Sequence, residues 1–230
     1  MRKARLNPTL NQTFELEGFG EFDFTTIASR CLRLENGGDI GAACELRYAA
    51  VQRIVELLPE DEDINLEWSH TNSRMAMEIV SRSAVDHFLC GDFEMAAAIG
   101  EQLLELDPED HLDTSGFLAF CYVALEDYDS FDDILLDIPD DKAPGALLRL
   151  AASFRRRGTL SPEEAAAFRS RFPVFYEEFC REEHPVEEWY TAELASSDPP
   201  SQRFAARQLW LQTEALWKIC PGFAKALRCE

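Results

Sequence analysis

The chain has 230 residues, 46% hydrophobic and 28% charged, a balance that supports a packed core and excludes a disordered acidic tail. Its 43 Asp and Glu against 22 Lys and Arg give a formal net charge of −21. A field of that sign repels phosphate backbones and anionic lipid, so nucleic-acid and membrane-surface binding are disfavoured, and the plainest role of the charge is solubility.

The chain starts Met1-Arg2-Lys3-Ala4-Arg5, but Asn7, Asn11, Gln12 and Glu15 follow where a signal peptide needs an apolar core. No apolar run reaches the length of a membrane span, and a cytoplasmic, reducing compartment is the expectation. The seven cysteines agree with it: Cys31, Cys44, Cys90, Cys121, Cys180, Cys220 and Cys229 are odd in number, widely spaced and contain no CxxC pair. Most sit among apolar residues and read as small core hydrophobes, while Cys229 reads as an exposed thiol.

Apolar residues recur every three or four positions and alternation at period two is scarce, which predicts an all-α fold of about ten helices with strand content close to nil. The first twenty residues, with Pro8, Gly18 and Gly20, read as an irregular arm. A helix over 25–35 stops at Asn36-Gly37-Gly38, and Asp39 opens the next, with a buried stripe of Ala43, Leu46, Ala50, Ile54 and Leu57. The acidic turn over 60–63 lacks the alternating carboxylates and glycine of a calcium loop. Helices are then expected over 66–90, closed by Gly91-Asp92, over 93–106, closed by Asp107-Pro108, as a pair over 113–125 and 128–136, closed by Pro139, and over 142–157, closed by Gly158. Ser161-Pro162-Glu163-Glu164 has the form of a capping box, the most secure helix start in the chain. Beyond Phe172-Pro173 the helices shorten and carry large rings (Phe175, Tyr176, Phe179, Trp189, Tyr190, Phe204, Trp210, Trp217), which plug a core or cap a helical stack.

Gly91-Asp92-Phe93-Glu94-Met95-Ala96, followed by Leu103, Leu104 and Leu106-Asp107-Pro108, resembles the second half of a tetratricopeptide repeat. Leu118, Ala119 and Tyr122 match the first half, Tyr128 repeats the role of Phe93, and Gly38-Asp39-Ile40 with Ala43 is a weaker echo. Phe131 stands where a small residue belongs and Gly100 where an aromatic is usual. The stretch over 202–227 resembles the closing helix of some poorly characterised bacterial proteins of this type. The resemblance, over about 38–172, implies antiparallel helical hairpins stacked as a short superhelix with an aromatic-rich carboxyl-terminal helical cap. Its divisions are an amino-terminal arm (1–24), helical hairpins (25–172) and the cap (173–230). It also implies a protein- or peptide-binding surface, with Ala96 at a close helix crossing.

No catalytic, metal or cofactor motif is legible. Gly37-Gly38 and Gly41 lack the lysine of a phosphate loop, and none of His70, His87, His111 and His184 lies four residues from another, which excludes a zinc helix. The histidines read as structural or surface residues. The local departure from the acidic field is Arg149 with Arg155-Arg156-Arg157. These arginines either pair with glutamates near a helix end or anchor an acidic peptide. The candidate partner-binding residues are Arg74, Tyr122, Arg149 and Arg156. The leading reading is a scaffold or adaptor for a protein or peptide; a hydrolase with an acidic pocket and a structural module that self-associates are the alternatives.

Overall fold

The computed structural model describes residues 2–4, 24–56, 58 and 64–228. The fold is all-α: twelve helices are accompanied, among the described residues, by one pair of three-residue strands and a 3₁₀ turn. Most of the proposed amino-terminal arm, the acidic turn over 60–63, Leu57 and Cys229 lie outside the described residues. The chain divides into two compact units, the first running to Cys121 and the second starting at Tyr122.

The first unit holds β1 (Arg2–Ala4), α1 (Phe24–Asn36), α2 (Ile40–Glu56), β2 (Ile64–Leu66), α3 (Thr71–Leu89), α4 (Phe93–Leu106) and the start of α5 (Thr114–Leu125). Helices α1 to α4 pack in chain order, each against the next. Their core includes Ala50, Val51, Ile54, Ala76, Met77, Val80, Ile99 and Leu103. The expected helix over 66–90 starts only at Thr71, because Ile64 and Leu66 are buried on either side of Asn65 in a strand. β2 pairs in parallel with β1, Arg2 opposite Ile64. Three alternating residues are too short a signal to read, and the partner strand is some sixty residues away.

The helix junctions repeat one device. Gly38 (φ 80°) and Gly91 (φ 83°) take the left-handed conformation, and each is followed by an aspartate. The Asp39 amide donates to Leu34 O and the Asp92 amide to His87 O, both at 2.9 Å, the six-to-one bond of a Schellman motif. Each aspartate then caps the next helix: Asp39 Oδ1 accepts from Ala42 N at 3.1 Å and Asp92 Oδ1 from Met95 N at 3.2 Å. Four residues after each aspartate, Ala43 and Ala96 are fully buried. Phe93 meets Phe88 edge-on at 4.9 Å, filling the wedge at the α3–α4 junction. Gly100 replaces an expected aromatic because Leu118 packs directly over it; a Cβ there would stand 2.9 Å from Leu118 Cδ2.

The second unit holds the end of α5, then α6 (Tyr128–Ile134), a 3₁₀ turn (Leu135–Asp137), α7 (Ala143–Arg157), α8 (Pro162–Arg171), α9 (Pro173–Phe179), α10 (Glu188–Leu194), α11 (Gln202–Ile219) and α12 (Phe223–Leu227). The junction device recurs at its start with Glu126 (φ 59°) in the glycine's place. The Asp127 amide donates to Tyr122 O at 3.0 Å, and its carboxylate accepts from Ser130 N at 3.2 Å. Phe131 occupies the buried alanine's position and is itself buried. The capping box forms as expected, with Ser161 Oγ accepting from Glu164 N at 3.1 Å and Glu164 Oε2 from Ser161 N at 2.9 Å. Helices α9 and α11 pack together, burying Phe179, Phe204 and Leu216. Of the carboxyl-terminal rings Phe175, Phe179, Tyr190 and Phe204 are core, while Tyr176 and the three tryptophans are half-buried; ring pairs are Phe179–Trp217, Tyr190–Phe204 and Trp217–Phe223.

Candidate functional site

Within the first unit, one face of α2 and one face of α4 leave a groove of about 490 Å³. The α2 wall is a stripe at helical spacing (Tyr48, Val51, Gln52, Val55, Glu56), and Met95, Ala98, Ile99 and Gln102 form the α4 wall. The stripes continue into exposed acids. Glu45 lies three residues before Tyr48, and Glu94 and Glu105 lie four before and seven after Ala98, on the same helix faces. Arg53 of α2, next to Gln52, pairs with Glu56 at 3.1 Å. The arrangement is thus an apolar floor with glutamine hydrogen-bonding groups and a negative rim.

A buried charge tie fixes the helices beneath it. Arg47 of α2 is 5% exposed and bonds Asp86 of α3 and Glu35 of α1. Burial pushes the Asp86 carboxyl up to about 6 despite the opposing Arg47 charge. Such a tie specifies one arrangement of three helices more than it adds net stability. Beside it, Tyr48 meets His87 edge-on at 5.1 Å, holding the phenol ring at the groove wall.

The residues singled out from the sequence lie elsewhere. Arg74 is half-buried on α3, 3.9 Å from Glu78 of its own helix. Tyr122 is buried in α5. Arg149 and Arg156 share α7 but serve different ends. Arg149 donates to the main-chain oxygens of Gly145 (3.0 Å) and Ile138 (3.2 Å), tying the preceding loop to the helix. Arg156 Nη2 sits 2.8 Å from both carboxylate oxygens of Asp132, and its guanidinium stacks over Tyr128 at 4.3 Å. Arg155 reaches Glu126 at 2.6 Å and Arg157 reaches Glu164 at 2.8 Å. The cluster's charge is engaged within the chain. The groove residues escaped the sequence reading because Tyr48, Val55 and Met95 sit just outside the buried stripes. Apolar residues flanking such a stripe, with no polar face of their own, were the available signal.

The histidines are held by neighbours. His111 Nδ1 lies 2.7 Å from the buried Asp107 carboxylate, and its ring stacks on Trp68 with centroids 4.8 Å apart. His184 Nδ1 lies 2.9 Å from Glu178, which also pairs with Arg207. Among the described residues no group of three or more His, Cys, Asp or Glu is placed to hold a metal ion. Cys220 is not an activated nucleophile, since burial raises its thiol pKa against the opposing Arg155 charge. No helix among the described residues is long and apolar enough to cross a membrane. Comparisons of the chain with protein-family models, with curated proteins and with solved structures find no match.

Proposed function

We propose that the chain is a helical scaffold that binds a protein segment, and that the α2–α4 groove takes an amphipathic stretch with apolar anchors and a basic polar face. The observation that carries this reading is the groove itself: an open, largely apolar trough between α2 and α4, in which the Arg47 tie fixes α2 against α1 and α3. Apolar anchors at helical spacing fit a trough of this kind, and the glutamates along its rim complement lysine or arginine on the segment's outer face. The thrice-repeated junction supports a helical-repeat scaffold of the tetratricopeptide type, in which neighbouring helices share one core and present grooves. The engaged state of Arg149 and Arg156 makes them supports of α7 in this reading, and a partner's acid would have to displace Asp132 to reach Arg156.

Two labelled synthetic peptides with the same leucine and valine anchors, one with lysine and one with glutamate on the polar face, test this by fluorescence anisotropy. The lysine peptide is expected to bind and to weaken with salt. The charge-neutral double variant Val55→Ser/Met95→Ser is expected to lower its affinity by about tenfold or more, equivalent to ~1.4 kcal/mol. Equal binding of both peptides, or binding unchanged in the variant, would refute the groove; the second result would reduce the attraction to bulk charge.

A further inference from the structure

A smaller cavity lies wholly within the second unit, among α9, α11, α12 and the segment before α10, with a volume of about 130 Å³. Four rings line it, Phe179 on α9, Trp210 and Trp217 on α11, and Phe223 on α12, with Ala224 beside Phe223 and the charged Arg181 and Glu182 on the segment before α10. The rings brace one another, Phe179 edge-on to Trp217 at 5.2 Å and Trp217 stacked on Phe223 at 4.9 Å, so the walls keep their shape without an occupant.

His184 supplies a polar group to this wall. Its side chain is only 4% exposed, its ring stacks on Trp210 with centroids 3.5 Å apart, and it lines the cavity. The orientation is fixed from behind. Burial would raise the Glu178 carboxyl, but bonds and charge from Arg207 and His184 outweigh it and hold it below the usual carboxylate range. An ionised carboxylate only accepts hydrogen bonds, so Nδ1 carries a proton and donates to Glu178. Nε2 is left with no partner among the described residues, yet it is not one of the sealed, unsatisfied polar atoms. The bond to Glu178 accounts for Nδ1 alone, which leaves a buried cavity-lining imidazole with a second ring nitrogen that no group among the described residues satisfies.

We propose that the cavity binds a small hydroxylated aromatic molecule, with its ring among Phe179, Trp210, Trp217 and Phe223 and its hydroxyl bonded to His184 Nε2. The size limits the occupant to a single ring, since benzene occupies an apolar cavity of about 150 Å³ and this one is smaller. A hydroxyl also suits either form of the imidazole, donating to the lone pair when neutral and accepting when Nε2 is protonated.

Phenol, toluene and benzoate are titrated into the protein while the indole N–H resonances of Trp210 and Trp217 are followed. Phenol is expected to shift them saturably, and toluene to bind about tenfold more weakly for want of one hydrogen bond. His184→Phe is expected to erase the preference for phenol over toluene. Ala224→Phe, which plugs the cavity away from Glu178, is expected to abolish binding of both and decides the matter if the histidine variant fails to fold. N-acetyl-tyrosinamide is expected to bind more weakly than phenol, since ring and hydroxyl alone fill the space. Equal phenol and toluene affinity, tightest binding of benzoate, phenol binding that survives Ala224→Phe, or tighter binding of the tyrosine derivative would each overturn the proposal.

Discussion

Arg207 is the largest fully buried side chain among the described residues, at 0% exposure, and its removal tests the physical account of the second unit most directly. Its guanidinium meets Glu178, itself 3% exposed, and donates to the Pro185 carbonyl oxygen. Arg207→Met keeps the stem's bulk but leaves a buried carboxylate facing only His184 and, at 3.8 Å, Arg181. Breaking one side of a buried pair costs about 3–5 kcal/mol, and the surviving partners place this case near the low end, ~3 kcal/mol. With a urea m-value of about 2 kcal/mol/M the unfolding midpoint should fall by about 1.5 M. Tryptophan fluorescence is the suitable readout, because Trp189, Trp210 and Trp217, three of the chain's four tryptophans, lie in this unit. The pH dependence has a definite sign. A carboxyl held below its unfolded value stabilises the fold above that value, and the contribution disappears as pH falls through the lowered one. In Arg207→Met the strongest lowering contact is gone and burial pushes the carboxyl back up, so protonation now relieves the unpaired charge and the deficit against the parent protein should narrow as pH falls. The double variant Glu178→Leu/Arg207→Met removes both charges and should recover much of the loss. A single variant within about 1 kcal/mol of the parent would refute the reasoning, since an unpaired buried charge cannot be that cheap.

Gly145→Ala should destabilise despite a gain in helix propensity of about 1 kcal/mol, because the new Cβ would run into the Pro139 carbonyl oxygen and crowd Arg149 and Ile138 at 3.2 Å; a net loss of about 2 kcal/mol in urea is expected, and a gain would show that the Arg149-bonded loop yields freely. Cys90 is exposed whereas Cys121 is buried, with its thiol pKa raised by desolvation; an aromatic disulfide reagent should modify Cys90 in the native protein and Cys121 only on unfolding, and rapid labelling of Cys121 with Cys90 replaced by Ser would contradict the packing of α5.

What the sequence determined is the punctuation of the helices. Gly38 and Gly91 need left-handed backbone that glycine adopts without strain, the aspartate after each can cap only the helix it precedes, and Ser161 with Glu164 closes a box within four residues. Ala43 and Ala96 were likewise legible, since burial on a helix face follows from spacing, whereas Phe131, read only as a departure from the small residue expected there, proves to be buried too. Tertiary structure decided which charges go inside. Nothing local marks Arg47 as the partner of Asp86, 39 residues on, or Arg207 as that of Glu178, 29 residues back, while Arg149 and Arg156, which composition made conspicuous, are held by their own loop and by Asp132. Helix ends are written in adjacent residues because capping is short-range. The burial of an ion depends on a counter-ion brought from far along the chain, and so does the setting of His184, a cavity-lining ring whose Nδ1 is held by the Glu178 carboxylate that Arg207 pairs.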